Sequence, residues 1–416
     1  MSLKLQILDD KKFTCHNCGN CCRHWHVQLL QNEIEPIANL RWHKDNPVAG
    51  QIIYLEHNEQ TFLKHKPNGD CIFLNHDNGL CQIHEQFGES AKPLGCQLFP
   101  FELHRTFEDK VTLIPRYDCP SVRQNKGDRY KANQLTKLAE KLLADQDPIS
   151  KQQRCGLNED QIQALVDFLT ALLPGLQTPT HKALFLHSFC DWLSHQEARK
   201  ISRQALGQLY QPLVEHVNQW VDDMQNKKFR KVDRFAFANL IAMYLRRDED
   251  VLDKRVGRGK RAAKILLFGL GLATVNDLGS MYPTPGTPGT PAPGSSDTGS
   301  SKKGSSRQLF VEPHNPNINL DPLDQLVKTR LQTFGFIGSA NFELDLLDGL
   351  RSLCLLYPLV MGVTKLFAST SEPLDQAISA VDHAFGRAAA LRTTASNRMA
   401  RQLLIPDTFA KLMVNL

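Results

Sequence analysis

Eight of the eleven cysteines in this 416-residue chain fall between positions 15 and 119. They are Cys15, Cys18, Cys21, Cys22, Cys71, Cys81, Cys96 and Cys119; only Cys155, Cys190 and Cys354 occupy the remaining two-thirds. Thiols at such density are either oxidised to disulfides or collected around a metal. The N-terminus, MSLKLQILDDKKFTCHNC, has no apolar core of signal-peptide length before the first cysteine. Secretion is therefore not expected, the chain reads as cytoplasmic, and its thiols read as metal ligands.

The spacing of the cysteines supports that choice. The first block is Cys15-x-x-Cys18-x-x-Cys21-Cys22. Two-residue gaps let neighbouring thiolates converge on one centre, a spacing used by zinc knuckles and iron–sulfur loops alike. Gly19 can supply the positive φ that wraps such a loop around an ion. Adjacent side chains tend to diverge, so Cys21 and Cys22 are expected to serve different centres, or only one of them to be a ligand.

Cys71 and Cys81 flank Asn78-Gly79, a hairpin-turn signal that would bring them together. Cys96 follows Pro93, and Cys119-Pro120 follows the apolar stretch Val111 to Pro115. Eight thiolates suffice for two four-ligand sites, or for one four-iron cluster plus one zinc. His16, His24, His26 and His84 are candidates to replace a thiolate. A structural zinc contributes on the order of 10 kcal/mol to the folding of small domains, so removing the metal is expected to unfold the N-terminal third.

These blocks resemble the YkgJ-like cysteine-cluster family, a zinc- or iron-chelating CxxCxxCC domain. The matching residues are Phe13, Cys15, Cys18, Gly19, Cys21 and Cys22. They continue with Cys71, Phe73, Leu74, Gly79, Cys81, Ile83, His84 and Glu85, then Pro93, Cys96, Phe99, Pro100 and Phe101. The resemblance spans residues 13 to 119. This chain has His84 where family members often carry Tyr, and Lys92 and Gln97 where they often carry Arg; the cysteines are unaffected. The same pattern is similar to part of the flagellin lysine N-methylases, which would imply protein methylation dependent on S-adenosylmethionine. No radical-type Cys-x3-Cys-x2-Cys spacing and no strand–GxGxG–helix fingerprint accompanies it. Gly335-x-x-Gly338 reads as a turn between helices.

The rest of the chain carries helical periodicity. Leu135, Leu138, Leu142 and Leu143 begin it, and Asn158 is placed to cap a helix that Pro174-Gly175 ends. Further helices are expected near 181–195, 196–224, 232–247, 257–277, 320–333, 341–368, 372–391 and 394–414. The apolar 341–368 stretch reads as one central buried helix. Residues 279–308, dominated by Pro, Gly, Ser and Thr, read as a disordered linker. The expected fold is mainly α. An irregular cysteine-rich module with short strands and helices, residues 1–130, sits on a helical body of residues 131–278 and, after the linker, 309–416.

Net charge is +5, too mild over this length to imply a nucleic-acid partner. The run Ile265 to Val275 is much shorter than the roughly 20 residues a membrane span needs and reads as a buried core helix, with an interfacial helix as the alternative. The Lys/Arg-rich stretch from Arg246 to Lys264 reads as a solvated surface, Asp382-His383 as a surface pair, and Cys155, Cys190 and Cys354 as small core residues. Three functions follow. The first is a metal-binding protein holding zinc or an iron–sulfur cluster, with 4Fe–4S among the options. The second is a protein lysine methylase, and the third is a module whose zinc shapes a docking surface for a protein partner.

Overall fold

Asn158 opens the helical body as its sequence predicts. Its side chain accepts the Gln161 N–H at 2.9 Å while the Gln161 side chain accepts the Asn158 N–H at 3.1 Å, a reciprocal cap that satisfies two otherwise orphaned donors. The helix runs Glu159–Leu172 and closes in a tight turn at Leu173–Gly175. In the computed structural model of the chain, the described residues are 4–57, 59–66, 70–107, 110–129, 139, 156–245, 258–278, 304–310 and 319–416. The Leu135–Leu143 periodicity (Ala139 apart), Cys155 and most of the 279–308 segment lie outside them.

The body continues through Pro179–Ser194, Arg203–Met224, Lys231–Leu245, Arg258–Gly269, Asp321–Gln332, Leu346–Cys354, Leu356–Leu366, Pro373–Ala384, Thr394–Leu403 and Pro406–Asn415. The fold is mainly α, and one large apolar core unites these helices. The expected single helix over 341–368 is two helices. Pro358 lacks the N–H that would bond the Cys354 carbonyl, and its ring crowds that carbonyl, so the chain breaks at Leu355. Together Leu346–Leu366 are long and apolar enough to cross a membrane, but most of the stretch is buried among the other helices. Pro406 divides the last predicted helix in the same way.

Two further expectations are corrected. Ile265 to Val275 is not a buried helix. The helix stops at Gly269, Phe268 is buried, and Leu266, Leu267, Leu270 and Leu272 are all exposed among the described residues. Only one face of a helix can meet the neighbouring Lys231–Leu245 helix, and successive leucines point around the cylinder. The end of the 279–308 segment is also ordered. The Ser306 hydroxyl donates to the Phe268 carbonyl at 2.6 Å, and Leu309 is fully buried.

The first 129 residues build three small sheets. Gln28–Leu29, Gln60–Leu63 and Tyr54–His57 form one, antiparallel throughout. The hairpin Phe101–Phe107/Lys110–Pro115 carries Lys4–Gln6 parallel on its outer edge. Lys12–Phe13 pairs with Asp128–Arg129 and closes the segment on itself. The 54–63 side has its own small apolar cluster around Val27, Leu63, Phe73 and Ile83.

Between module and body lies a buried ionic seam. Asp382, read from sequence as half of a surface pair, has no solvent exposure. Its carboxylate accepts from Arg330 Nη2 at 2.5 Å and from the Tyr117 N–H at 2.7 Å. Its neighbour His383 places Nδ1 3.1 Å from Asp118 Oδ2. Arg387 bridges to Glu102 at 2.6 Å. The surface reading failed because the partners of Asp382 are remote in the chain, Arg330 by 52 positions and Tyr117 by 265.

Candidate metal centre

Four chain segments deliver the predicted ligands. The first block folds as a loop into the short helix Cys21–His24. Gly19 takes φ +66°, as its role required. The second block is held by a loop in which the Asn75 N–H donates to the Leu80 carbonyl at 2.9 Å, with a single bridge between Leu74 and Cys81. The expected hairpin is thus reduced to one bridge, although Gly79 does take the left-handed φ of +71°. Cys96 sits on the helix Leu94–Leu98, whose first N–H donates to Glu33 at 2.6 Å. Cys119 caps the turn Pro120–Arg123, directly after the Lys110–Pro115 strand.

All eight predicted cysteines line one cavity of about 180 Å³. Its other walls are largely apolar, among them Phe13, Trp25, Val27, Leu63 and Phe73. His16 and His84 reach the same wall. His26 does not; its ring lies 4.0 Å from that of His65. The His24 side chain lies outside the described residues. Cys21 and Cys22 do not diverge as expected, because the Cys21–His24 turn holds their sulfurs 3.9 Å apart. The ten described cysteines are all free thiols, and Cys190 and Cys354 are buried in the body core as predicted.

Burial raises these thiols. Cys71 and Cys119 are each pushed up to about 12 by desolvation. Cys96 stands well above the ordinary thiol range, through burial and then the negative charge of Cys71, Cys81 and Cys21. Cys21 is raised by its hydrogen bond with Cys22, by burial and by the nearby Cys22 and Cys15. Lys92, a residue the sequence marked only as a departure from the family pattern it resembles, opposes these shifts at Cys21, Cys81 and Cys96. So many anions cannot share an apolar pocket without a cation to neutralise them.

The donor set therefore fits a thiophilic metal. The cavity is larger than one ion needs, since a water in bulk claims only about 30 Å³. Among the described residues, no three Cys, His, Asp or Glu side chains already meet tightly around a single point. The sulfurs stand around a space.

Gly79 locks the first two blocks together. A Cβ there would lie 2.0 Å from the Asn17 carbonyl oxygen. Gly79→Ala is expected to cost about 1–3 kcal/mol through backbone displacement and left-handed strain and to weaken metal retention. Gly88→Ala, with the same kind of φ but open space around its Cβ, is the control. Equal metal retention in the two variants would refute this.

A second cavity of about 440 Å³ lies in the body, lined by His187, Asp191, Arg351 and Arg401 among others. It shares no lining residue with the cysteine cavity, so a molecule held there would not touch the thiols.

Residues 14–120 match the model of the CxxCxxCC family, described as a "Putative zinc- or iron-chelating domain". Among curated proteins, the uncharacterized protein MJ0939 of Methanocaldococcus jannaschii is 27% identical over 135 residues, covering 32% of this chain and 45% of that relative. No solved structure matches. Neither match carries the likeness to flagellin methylases drawn from the sequence.

Proposed function

We propose that this chain is a cytoplasmic metal-binding protein in which the eight thiolates of residues 15–119 hold zinc or an iron–sulfur centre. The observation that carries the reading is the convergence of all eight cysteines, from four separate blocks, on one largely apolar cavity. A zinc bound there would crosslink the blocks; an iron–sulfur cluster would add one-electron redox chemistry to the same crosslink. The chain's own contribution is to bring the sulfurs together, to shield them with Trp25, Phe73 and Phe99, and to place Lys92 beside them.

Metal analysis of the anaerobically purified full chain tests this. Iron with acid-labile sulfide and a brown colour identifies a cluster, and stoichiometric zinc in a colourless sample identifies zinc. Protein that takes up neither, even on reconstitution, overturns the reading.

A further inference from the structure

We propose that the eight cysteines form two adjacent metal centres, one on Cys15, Cys18, Cys21 and Cys119 and the other on Cys22, Cys71, Cys81 and Cys96. This rests on the thiolate-metal reading above and adds the number of centres and the division of their ligands.

Backbone contacts divide the four blocks in this way. The Cys71 N–H donates to the Cys22 carbonyl at 2.6 Å, so the second block grips the first at Cys22. The Gln82 N–H donates to the Phe73 carbonyl at 2.9 Å and ties the segment after Cys81 to the turn after Cys71. Cys22, Cys71, Cys81 and Cys96 all belong to the small apolar cluster around Phe73 and Ile83.

Cys119 belongs to the core of the helical body instead. Its neighbours hold the other side of the first block. The Ser121 hydroxyl donates to the Thr14 carbonyl at 2.6 Å and lies 3.5 Å from His16 Nε2, while Asn20 Nδ2 donates to the Asp118 carbonyl at 3.4 Å. The loop carrying Cys15 and Cys18 is thereby held beside the turn that carries Cys119.

Cys21 stands at the border, its sulfur 3.9 Å from that of Cys22. The Cys-x-x-Cys-x-x-Cys spacing assigns it to Cys15 and Cys18, and each set then has the four ligands that zinc sites and iron–sulfur clusters take.

Cobalt(II), whose thiolate complexes are coloured, serves as the probe on the full-length chain under reducing, anaerobic conditions. Titration of the wild type is expected to break at two equivalents. Cys119→Ser and Cys96→Ser are each expected to lose half the bound cobalt, and the double variant all of it. A wild-type break at one equivalent overturns the two-centre division and leaves the thiolate reading standing. So does complete loss in each single variant whose helical circular dichroism is intact. A wild type that binds no cobalt, zinc or iron overturns both. Because the wild-type titration needs no substitution, misfolding of a variant does not remove the test.

Discussion

Stripping the metal with a chelator is expected to melt residues 14–98 and to leave the helical body folded. The apolar cluster on that side of the module is small and includes Cys71 itself, with Cys22, Cys81 and Cys96 packed against it. Its sheet strands are two to four residues long. Such a segment buries too little apolar surface to offset the entropy of ordering its chain. The missing stabilisation, on the order of 10 kcal/mol for structural zinc in small domains, comes from the metal. The loss should stop at the hairpin Phe101–Pro115, which the ionic seam fastens to the body through the Glu102–Arg387 pair. Amide hydrogen exchange would show this directly. Protection should collapse across the first three cysteine blocks and persist in Pro179–Ser194 and Leu356–Leu366. Unchanged protection over residues 14–98 in fully demetallated protein would show that the metal does not hold the fold.

The convergence of the cysteines was legible in the sequence because thiolate chemistry needs a rare residue at fixed short spacings, and all eight cysteines do reach one cavity. The helices were legible where caps and prolines declare them, as at Asn158 and Pro174. What local pattern could not convey is which face of an element meets what. The Leu266–Leu272 run looks like core by composition, yet four of its leucines are exposed. Asp382-His383 looks like surface, yet Asp382 is fully enclosed. Both failures concern contacts between residues far apart in the chain, where periodicity carries no information. Cys21 and Cys22 are a different case. Adjacency alone suggested divergence, and the tight turn that brings their sulfurs together depends on Gly19 and Asn20 before them.

Asp382→Ala is expected to be among the most destabilising single substitutions in the body. The carboxylate neutralises Arg330, whose side chain is 1% exposed, and it also accepts the Tyr117 N–H. Deleting it leaves a guanidinium packed over Phe385, with the Gly335 carbonyl at 3.4 Å as its remaining hydrogen-bond acceptor among the described residues. An uncompensated buried charge costs about 3–5 kcal/mol, and the orphaned amide adds roughly 1–3 kcal/mol. The exposed pair Arg203–Asp167, at 3.1 Å with 76% and 45% of the two side chains exposed, supplies the contrast. Asp167→Ala should change stability by less than about 1 kcal/mol. Urea unfolding of the metal-loaded variants measures both. The effect should also reach the metal site, because Tyr117 lies two residues before Cys119 and the 116–118 backbone sets where that sulfur stands. Asp382→Asn keeps an acceptor for the Tyr117 N–H while removing the charge. It should therefore retain metal better than Asp382→Ala even though it remains destabilised by the lone Arg330. Equal unfolding midpoints for Asp382→Ala and Asp167→Ala would mean that the seam does not fasten the module to the body.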